Sequence, residues 1–230
     1  MARSPLVIAS GNAGKIREFA ALLADLPLEI RAQPEGLEVE ETGATFAENA
    51  RLKATAVALA SGCWALADDS GLAVAALAGA PGVHSARYAP TDAERIARLL
   101  RELEAAQHDH AVQGLEAGVL STTVLSAATT PLTVPRLESG DRSARFTAAL
   151  ALADPSGAIR LEVEGHCPGV ILEAPRGAGG FGYDPVFLVP ELGQTFAEMD
   201  KATKGRIGHR GRAFALLEPA LRALLAMEEG

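Results

Sequence analysis

The sequence predicts an α/β protein built on an open β-sheet, and three stretches carry that expectation. The short apolar run Pro5–Ser10 is followed by Gly11-Asn12 and then by apolar residues at helical spacing, a strand–turn–helix alternation. In the first third of the chain, Cys63-Trp64-Ala65-Leu66-Ala67 drives directly into two adjacent carboxylates, Asp68 and Asp69, and then Ser70-Gly71. A short apolar run bounded by turn residues reads as a buried strand, and open sheets place their ligands at the carboxyl ends of such strands. Later, Ala144–Ala153 and Ala158–Gly165 flank Asp154-Pro155-Ser156-Gly157, a turn signal that joins them as an antiparallel hairpin.

Composition sets the outer limits. A chain of 230 residues fits one large α/β domain with a sizeable core. No apolar run reaches the length needed to cross a bilayer, and the N-terminus lacks a signal-peptide core, so a cytoplasmic protein with no membrane partner is expected. Cys63 and Cys167 lack metal-binding spacing and read as reduced thiols. A net charge of −8 argues against a broad nucleic-acid surface, although a few local cations and a metal can still hold a small anion.

Taken in order, Pro5–Ser10 is the first strand, and Ile16, Phe19, Ala20, Leu22 and Leu23 mark a helix running through Asp25. Strand, glycine turn and helix together aim backbone N–H groups and a helix dipole at an anion. Lys15 in the first turn has the wrong charge for that dipole, which points to a ligand. Ser10-Gly11-Asn12-Ala13-Gly14-Lys15 is therefore either a phosphate loop or a tight turn. It is not a P-loop, because Ala9 stands where the first glycine belongs and Ile16 where Ser or Thr must meet Mg²⁺.

Leu28–Ala32 forms a second strand. The acidic cluster Glu38, Glu40 and Glu41 after it is solvated charge unless the fold carries it to a site. Thr45-Phe46-Ala47-Glu48 has capping-box form and opens a helix to about Ser61, with Lys53 two turns in. The strand 63–67 follows, and Ser70-Gly71 is expected to break it. Adjacent strand residues face opposite sides, so without a break Asp68 and Asp69 cannot share one task. One can hold a hard cation while the other orients or deprotonates a water; the plain alternative is an acidic turn.

The glycine–proline segment Gly79–Tyr88 either wraps the site or lies at a subunit contact. Thr91-Asp92-Ala93-Glu94 is a second capping box, starting a helix through Glu104. Between Gln107 and Gly140 the pattern loosens into what reads as a variable, partly helical insertion; its His108-Asp109-His110 is not counted as a metal site. In Gly177–Pro185, glycines flank Phe181, which lets backbone approach a flat ligand while the ring stacks on it; a purely structural loop is the alternative. The strand Val186–Val189 comes next. Thr195-Phe196-Ala197-Glu198 is a third capping box, and Lys201, Lys204, Arg206, His209, Arg210 and Arg212 make the most basic stretch. The helix Phe214–Met227 closes the chain, with Pro219 kinking or dividing it.

These blocks, in this order, resemble the inosine triphosphate pyrophosphatase family, specifically its bacterial dITP/XTP pyrophosphatases. The resemblance rests on Ser10–Lys15, Glu40–Ala50, Ala67–Leu72, Gly79–Tyr88, Gly179–Pro185, and Lys204 with His209-Arg210. It implies a central mixed, twisted sheet flanked by helices in two lobes, a substrate cleft between them, and usually a homodimer. The implied reaction is Mg²⁺-dependent hydrolysis of 6-oxo purine nucleoside triphosphates (ITP, dITP, XTP) to the monophosphate and pyrophosphate. The implied roles are Asp69 as catalytic base, and Glu41, Asp68 and Asp69 toward the metal. Substrate contacts fall to Ser10, Gly11, Asn12, Ala13, Gly14, Lys15, Lys53, Ser70, Phe181, Gly182, Tyr183, Asp184, Lys204, His209 and Arg210. Ser10 replaces a common Thr, and Gly208 replaces a Ser before the His-Arg pair. A pyrimidine-directed pyrophosphatase of similar fold is disfavoured by the Phe181 loop and the His-Arg pair, and an inactive nucleotide sensor by the intact acidic set.

Overall fold

The computed structural model describes residues 4–118 and 142–228. Its strands are β1 (Ser4–Ala9), β2 (Leu28–Ala32), β3 (Trp64–Val74), β4 (Ser143–Ala153), β5 (Ile159–Ile171), β6 (Phe187–Val189) and β7 (Gln194–Thr195). Its helices are α1 (Ala13–Leu22), α2 (Phe46–Ser61), α3 (Asp92–Gly118), α4 (Lys201–Ile207) and α5 (His209–Glu228). The strands form one mixed sheet in the order β2-β1-β3-β4-β5-β6-β7, parallel among the first three and antiparallel from β3 onward.

The three long strands β3, β4 and β5 form the middle of the sheet, and side-chain alternation sorts the core. On one face Leu6, Ile8, Leu66 and Leu150 pack under α1 and α5 through Phe19, Phe214 and Leu217. On the other, Val7, Ala9, Ala65, Ala67, Ala149 and Ala151 meet Ala50, Ala54, Val57 and Ala58 of α2. The heavy use of alanine thus has a location, a thin layer that lets α2 sit close over β3. Beyond the acidic pair, Leu72, Val74, Phe146, Cys167, Ile171, Phe187 and Phe196 make a separate core with Leu99 and Leu103 of α3.

Several expectations are corrected. Ser70-Gly71 does not break β3, which continues to Val74 in unbroken register with β4, Asp68 opposite Leu150 and Gly71 opposite Thr147. Gly71 instead permits close approach: a Cβ there would stand 2.6 Å from the Gly82 carbonyl and 2.9 Å from the Phe46 ring. The six-residue 3₁₀ segment Gly82–Arg87 therefore folds directly against β3, where Ser85 Oγ accepts from Leu72 N at 2.9 Å. Val83, Ser85 and Ala86 of the glycine–proline segment thereby border the cleft.

The Thr91–Glu94 box forms, with Glu94 N bonded to Thr91 Oγ1 at 3.2 Å, but α3 runs beyond Glu104 to Gly118. The first part of the expected 107–140 insertion is thus a continuation of α3, and its remainder lies outside the described residues. The third capping box starts no helix. Thr195 turns its hydroxyl to the Arg176 carbonyl at 2.8 Å, Arg176 grips Glu198, and the next helix begins at Lys201 with Asp200 as its N-cap. The last helix begins at His209, five residues before the expected Phe214, and passes through Pro219 undivided.

Gly165 of β5 faces α5 at a distance that no side chain fits. A Cβ would lie 2.2 Å from Ala213 N and 2.4 Å from the His209 carbonyl. Gly165→Ala is therefore expected to cost about 1–3 kcal/mol, as over-packing does, and to lower the urea midpoint. An unchanged midpoint would show that α5 is free to shift.

Candidate active site

The cleft has a volume of about 470 Å³ and is bordered by the α1 N-terminus, the middle of β3, the Gly82–Arg87 turn, the Phe181 loop and the start of α5. Its chemistry follows from the alternation of β3. Ala65 and Ala67 face α2, so Asp69 faces α2 as well; Leu66 faces α1 and α5, and so does Asp68.

On the α2 side, Asn49 and Lys53 stand one helical turn apart and both reach Asp69. Asn49 Nδ2 donates to Oδ2 at 3.1 Å, and Lys53 Nζ donates to Oδ1 at 3.0 Å. Lys53 also donates to Glu41 Oε1 and to the Asp68 carbonyl, each at 2.8 Å, while Arg87 Nη1 holds Glu41 Oε2 at 2.9 Å. Burial pushes the Asp69 carboxyl above the usual carboxylate range despite Lys53 beside it. Burial would raise Glu41 too, but there the hydrogen bond and charge of Lys53, with Arg87, win and hold it low.

On the opposite face, Asp68 Oδ2 takes Lys15 at 2.8 Å, Ser70 Oγ at 3.1 Å and Arg210 Nε at 3.3 Å. Burial opposes ionisation there, but Arg210 and Lys15 outweigh it and hold the carboxyl far below the usual range. Burial in turn lowers the Lys15 ammonium. The Asn12 side chain caps α1 and accepts from Gly14 N and Lys15 N, so two of the N–H groups assigned to an anion already have a partner. Ser10 Oγ accepts from Asn12 N at 3.1 Å, and neither Ser10 nor Gly11 borders the cleft, whereas Asn12, Ala13, Gly14 and Lys15 do.

The Phe181 loop closes over this end. Its ring packs so tightly on the α1 turn that a Cβ at Gly14 would stand 2.9 Å from it. Lys204 Nζ lies 4.8 Å and Arg210 Cζ 5.5 Å from the ring centre. Asp184 Oδ2 ties the loop by accepting from Phe181 N at 2.9 Å and Lys204 at 2.6 Å. Gly182 donates its N–H to Asp92 Oδ2 at 2.7 Å, and the Tyr183 hydroxyl donates to the Ser85 carbonyl at 3.0 Å. His209 stacks on Phe146 at 4.7 Å, and its Nδ1 is buried without a partner. Burial, and then the charge of Arg210, hold this imidazole well below its ordinary value, hence neutral.

The structure thus brings Glu41, Lys53 and Asp69 into one cluster and Lys15, Asp68, Ser70 and Arg210 into another, rather than joining all three carboxylates. Sequence reasoning missed Glu18, which accepts from Lys204 at 2.9 Å and from Arg210 Nη1 at 2.7 Å. It also missed Asn49, Arg87 and Asp92 as side chains that position the site. Glu18 sits three residues after Lys15 and Asn49 four before Lys53, which are same-face helical spacings and the signal that was available. Burial would raise Glu18, but Arg210 and Lys204 hold it low. A folded pKa below the unfolded value contributes stability that is complete above about 4.3 and is lost as the pH falls below that. Glu18→Gln should accordingly lower the Tm at neutral pH and lessen its fall under acid. Parallel Tm–pH curves for the two proteins would refute that linkage.

Among the described residues no three His, Cys, Asp or Glu side chains form a ready-made metal cage. Mg²⁺ does not require one, because it is commonly held by one or two carboxylates together with substrate phosphates and waters. Glu41 and Asp69 supply hard oxygen donors on one side, and Asp68 Oδ1 is buried with no hydrogen-bond partner. The donor set suits that ion.

Comparison with known proteins places the chain. The model of the Ham1 family matches residues 6–134 and 117–220. A dITP/XTP pyrophosphatase of Parasynechococcus marenigrum is 56% identical over 223 residues, 97% of each chain. One of Synechococcus sp. is 53% identical over 230 residues, all of this chain and 96% of its own. Among solved structures, a HAM1 protein from Coxiella burnetii is 40% identical with a TM-score of 0.76, covering 96% of this chain and 99% of its own. A nucleoside-triphosphatase / dITP/XTP pyrophosphatase from Mycobacterium abscessus is 35% identical with a TM-score of 0.63, covering 94% and 99%. With the family model spanning most of its length and these relatives matching it nearly end to end, the chain belongs to the Ham1 family, in agreement with the resemblance of its sequence blocks.

Proposed function

We propose that this chain hydrolyses non-standard purine nucleoside triphosphates (dITP, XTP and ITP) to the monophosphate and pyrophosphate, with Mg²⁺ as cofactor. The observation that carries the reading is the arrangement of the cleft. A burial-raised carboxylate with a lysine at its side stands at one end, and an aromatic platform flanked by two cations and a neutral histidine at the other. The matching names of the cyanobacterial relatives support it.

In this reading Phe181 stacks on the base, and His209 and Arg210 face its 6-oxo edge. Lys15 and Lys53 exchange their carboxylate partners for phosphate oxygens. A water attacks the α-phosphorus, its proton passes to Asp69, and the bond from the α-phosphorus to the bridging oxygen breaks, leaving with its electron pair as pyrophosphate. Asp69 suits the base role better than Asp68, because two cations hold Asp68 in its ionised form while burial makes Asp69 more basic. Asn49 fixes the orientation of the Asp69 carboxylate. Mg²⁺, held by Glu41 and Asp69, would neutralise phosphate charge and polarise the phosphoryl group.

We further assign one two-lobed domain across residues 1–230 that works as a cytoplasmic homodimer; no helix among the described residues is long and apolar enough to cross a membrane. Pyrophosphate release measured with Mg²⁺ across XTP, dITP, ITP, GTP and ATP tests the function. Release from none of the first three would end it.

A further inference from the structure

Lys53 occupies the place to which a metal ion would be drawn. An ammonium has three N–H donors, and three oxygens take them: Glu41 Oε1, Asp69 Oδ1 and the Asp68 carbonyl, all within 3.0 Å. The side chain is only 12% exposed, so water is not an alternative shell for that charge. The remaining oxygens of the two carboxylates are also engaged, Asp69 Oδ2 by Asn49 and Glu41 Oε2 by Arg87. A divalent ion arriving alone must therefore push a buried ammonium off both carboxylates and leave it without anionic partners, which is costly. A polyphosphate removes that cost, because it offers Lys53 new anionic oxygens at the moment the metal takes the old ones.

We propose that Lys53 is an intramolecular stand-in for the divalent cation, holding the Glu41–Asp69 pair until metal and polyphosphate enter together. The inference rests on the assignment of Glu41 and Asp69 to the metal made above. It makes metal and polyphosphate binding reciprocally cooperative, and it protects the empty site from binding free metal unproductively. The same exchange accounts for a lysine being held between two carboxylates that the reaction needs for another cation.

The test is Mn²⁺ binding to the nucleotide-free protein, read by electron paramagnetic resonance of the free ion. Lys53→Met is expected to bind one Mn²⁺ at least about tenfold more tightly than the wild type, within the usual range of such couplings. Adding Glu41→Gln to Lys53→Met should abolish that gain and so locate the ion. Lys53→Gln, which keeps a polar end, serves if the methionine variant does not fold. Equal or weaker Mn²⁺ affinity in the folded variant overturns the proposal, as does a gain that survives Glu41→Gln. The functional reading is separable: wild-type pyrophosphate release from XTP can stand while the lysine exchange fails. Conversely, a gain in Mn²⁺ affinity with no hydrolysis of any 6-oxo purine would sustain the exchange and end the assigned reaction.

Discussion

Asparagine in place of Asp69 is expected to lower kcat by about two to four orders of magnitude, the range for loss of a general base, with nucleotide binding retained. The asparagine keeps the size of the side chain, and its carbonyl oxygen can still accept from Asn49 Nδ2, which now holds Asp69 Oδ2 at 3.1 Å. It cannot accept the proton of the attacking water. The Phe181 end of the cleft is untouched, since Phe181, Lys204 and Arg210 are organised by Asp184 and Glu18 and not by Asp69. Turnover at saturating XTP and equilibrium XTP binding separate the two effects. Near-normal turnover would remove Asp69 from the proton transfer, and Asp68 would not be an obvious replacement, being held ionised by Arg210 and Lys15.

The second large effect is in selectivity. XTP, dITP and ITP are expected to be hydrolysed with kcat/KM at least about a hundredfold above ATP, the scale seen when buried polar groups lose their partner. Adenine presents a donor amine where these bases present an acceptor oxygen, and in the proposed reading the groups facing that edge are Arg210 and His209, both buried. Arg210→Ala should erode that ratio by slowing XTP and not by speeding ATP, because truncation gives adenine no new partner. The structure adds a consequence that the sequence did not carry. Arg210 also bonds Asp68, Ser70 and Glu18, so its removal leaves two carboxylates short of a partner. A loss of folding stability of about 3–5 kcal/mol is expected alongside, visible in denaturant unfolding. If XTP and ATP fall by the same factor, Arg210 serves the phosphates or the fold, and the base is chosen elsewhere in the cleft.

Where sequence reasoning worked, the information was local. The Thr45–Glu48 and Thr91–Glu94 boxes cap helices as their spacing predicts, because capping depends on four neighbouring residues. Where it failed, the deciding partner was remote. Thr195–Glu198 has the same pattern but opens no helix: Glu198 still accepts from Thr195 N, but the hydroxyl that should cap the third N–H is diverted to the Arg176 carbonyl. Ser70-Gly71 looks like a strand end, yet β4 pairs across it residue by residue, and the ladder outweighs the local turn preference. The last helix starts five residues before its apolar pattern does, because polar His209 and Arg210 interrupt that pattern, and both are buried.

By itself the sequence determined most of the element types, the α/β class, and many of the residues able to carry the chemistry, since apolar periodicity, turn residues and cap spacings are written in consecutive positions. It also placed Asp68 and Asp69 side by side after an apolar run. Only the tertiary structure decided which partners each meets. Because β3 runs on without a break, its pleat sends Asp69 to the lysine of α2 and Asp68 to the cations of α1 and α5. Two chemically identical neighbours thereby acquire opposite shifts, one raised by burial and one lowered by paired charge. That difference arises from groups 15 to 142 residues away in sequence, which meet only when the sheet and its helices are packed.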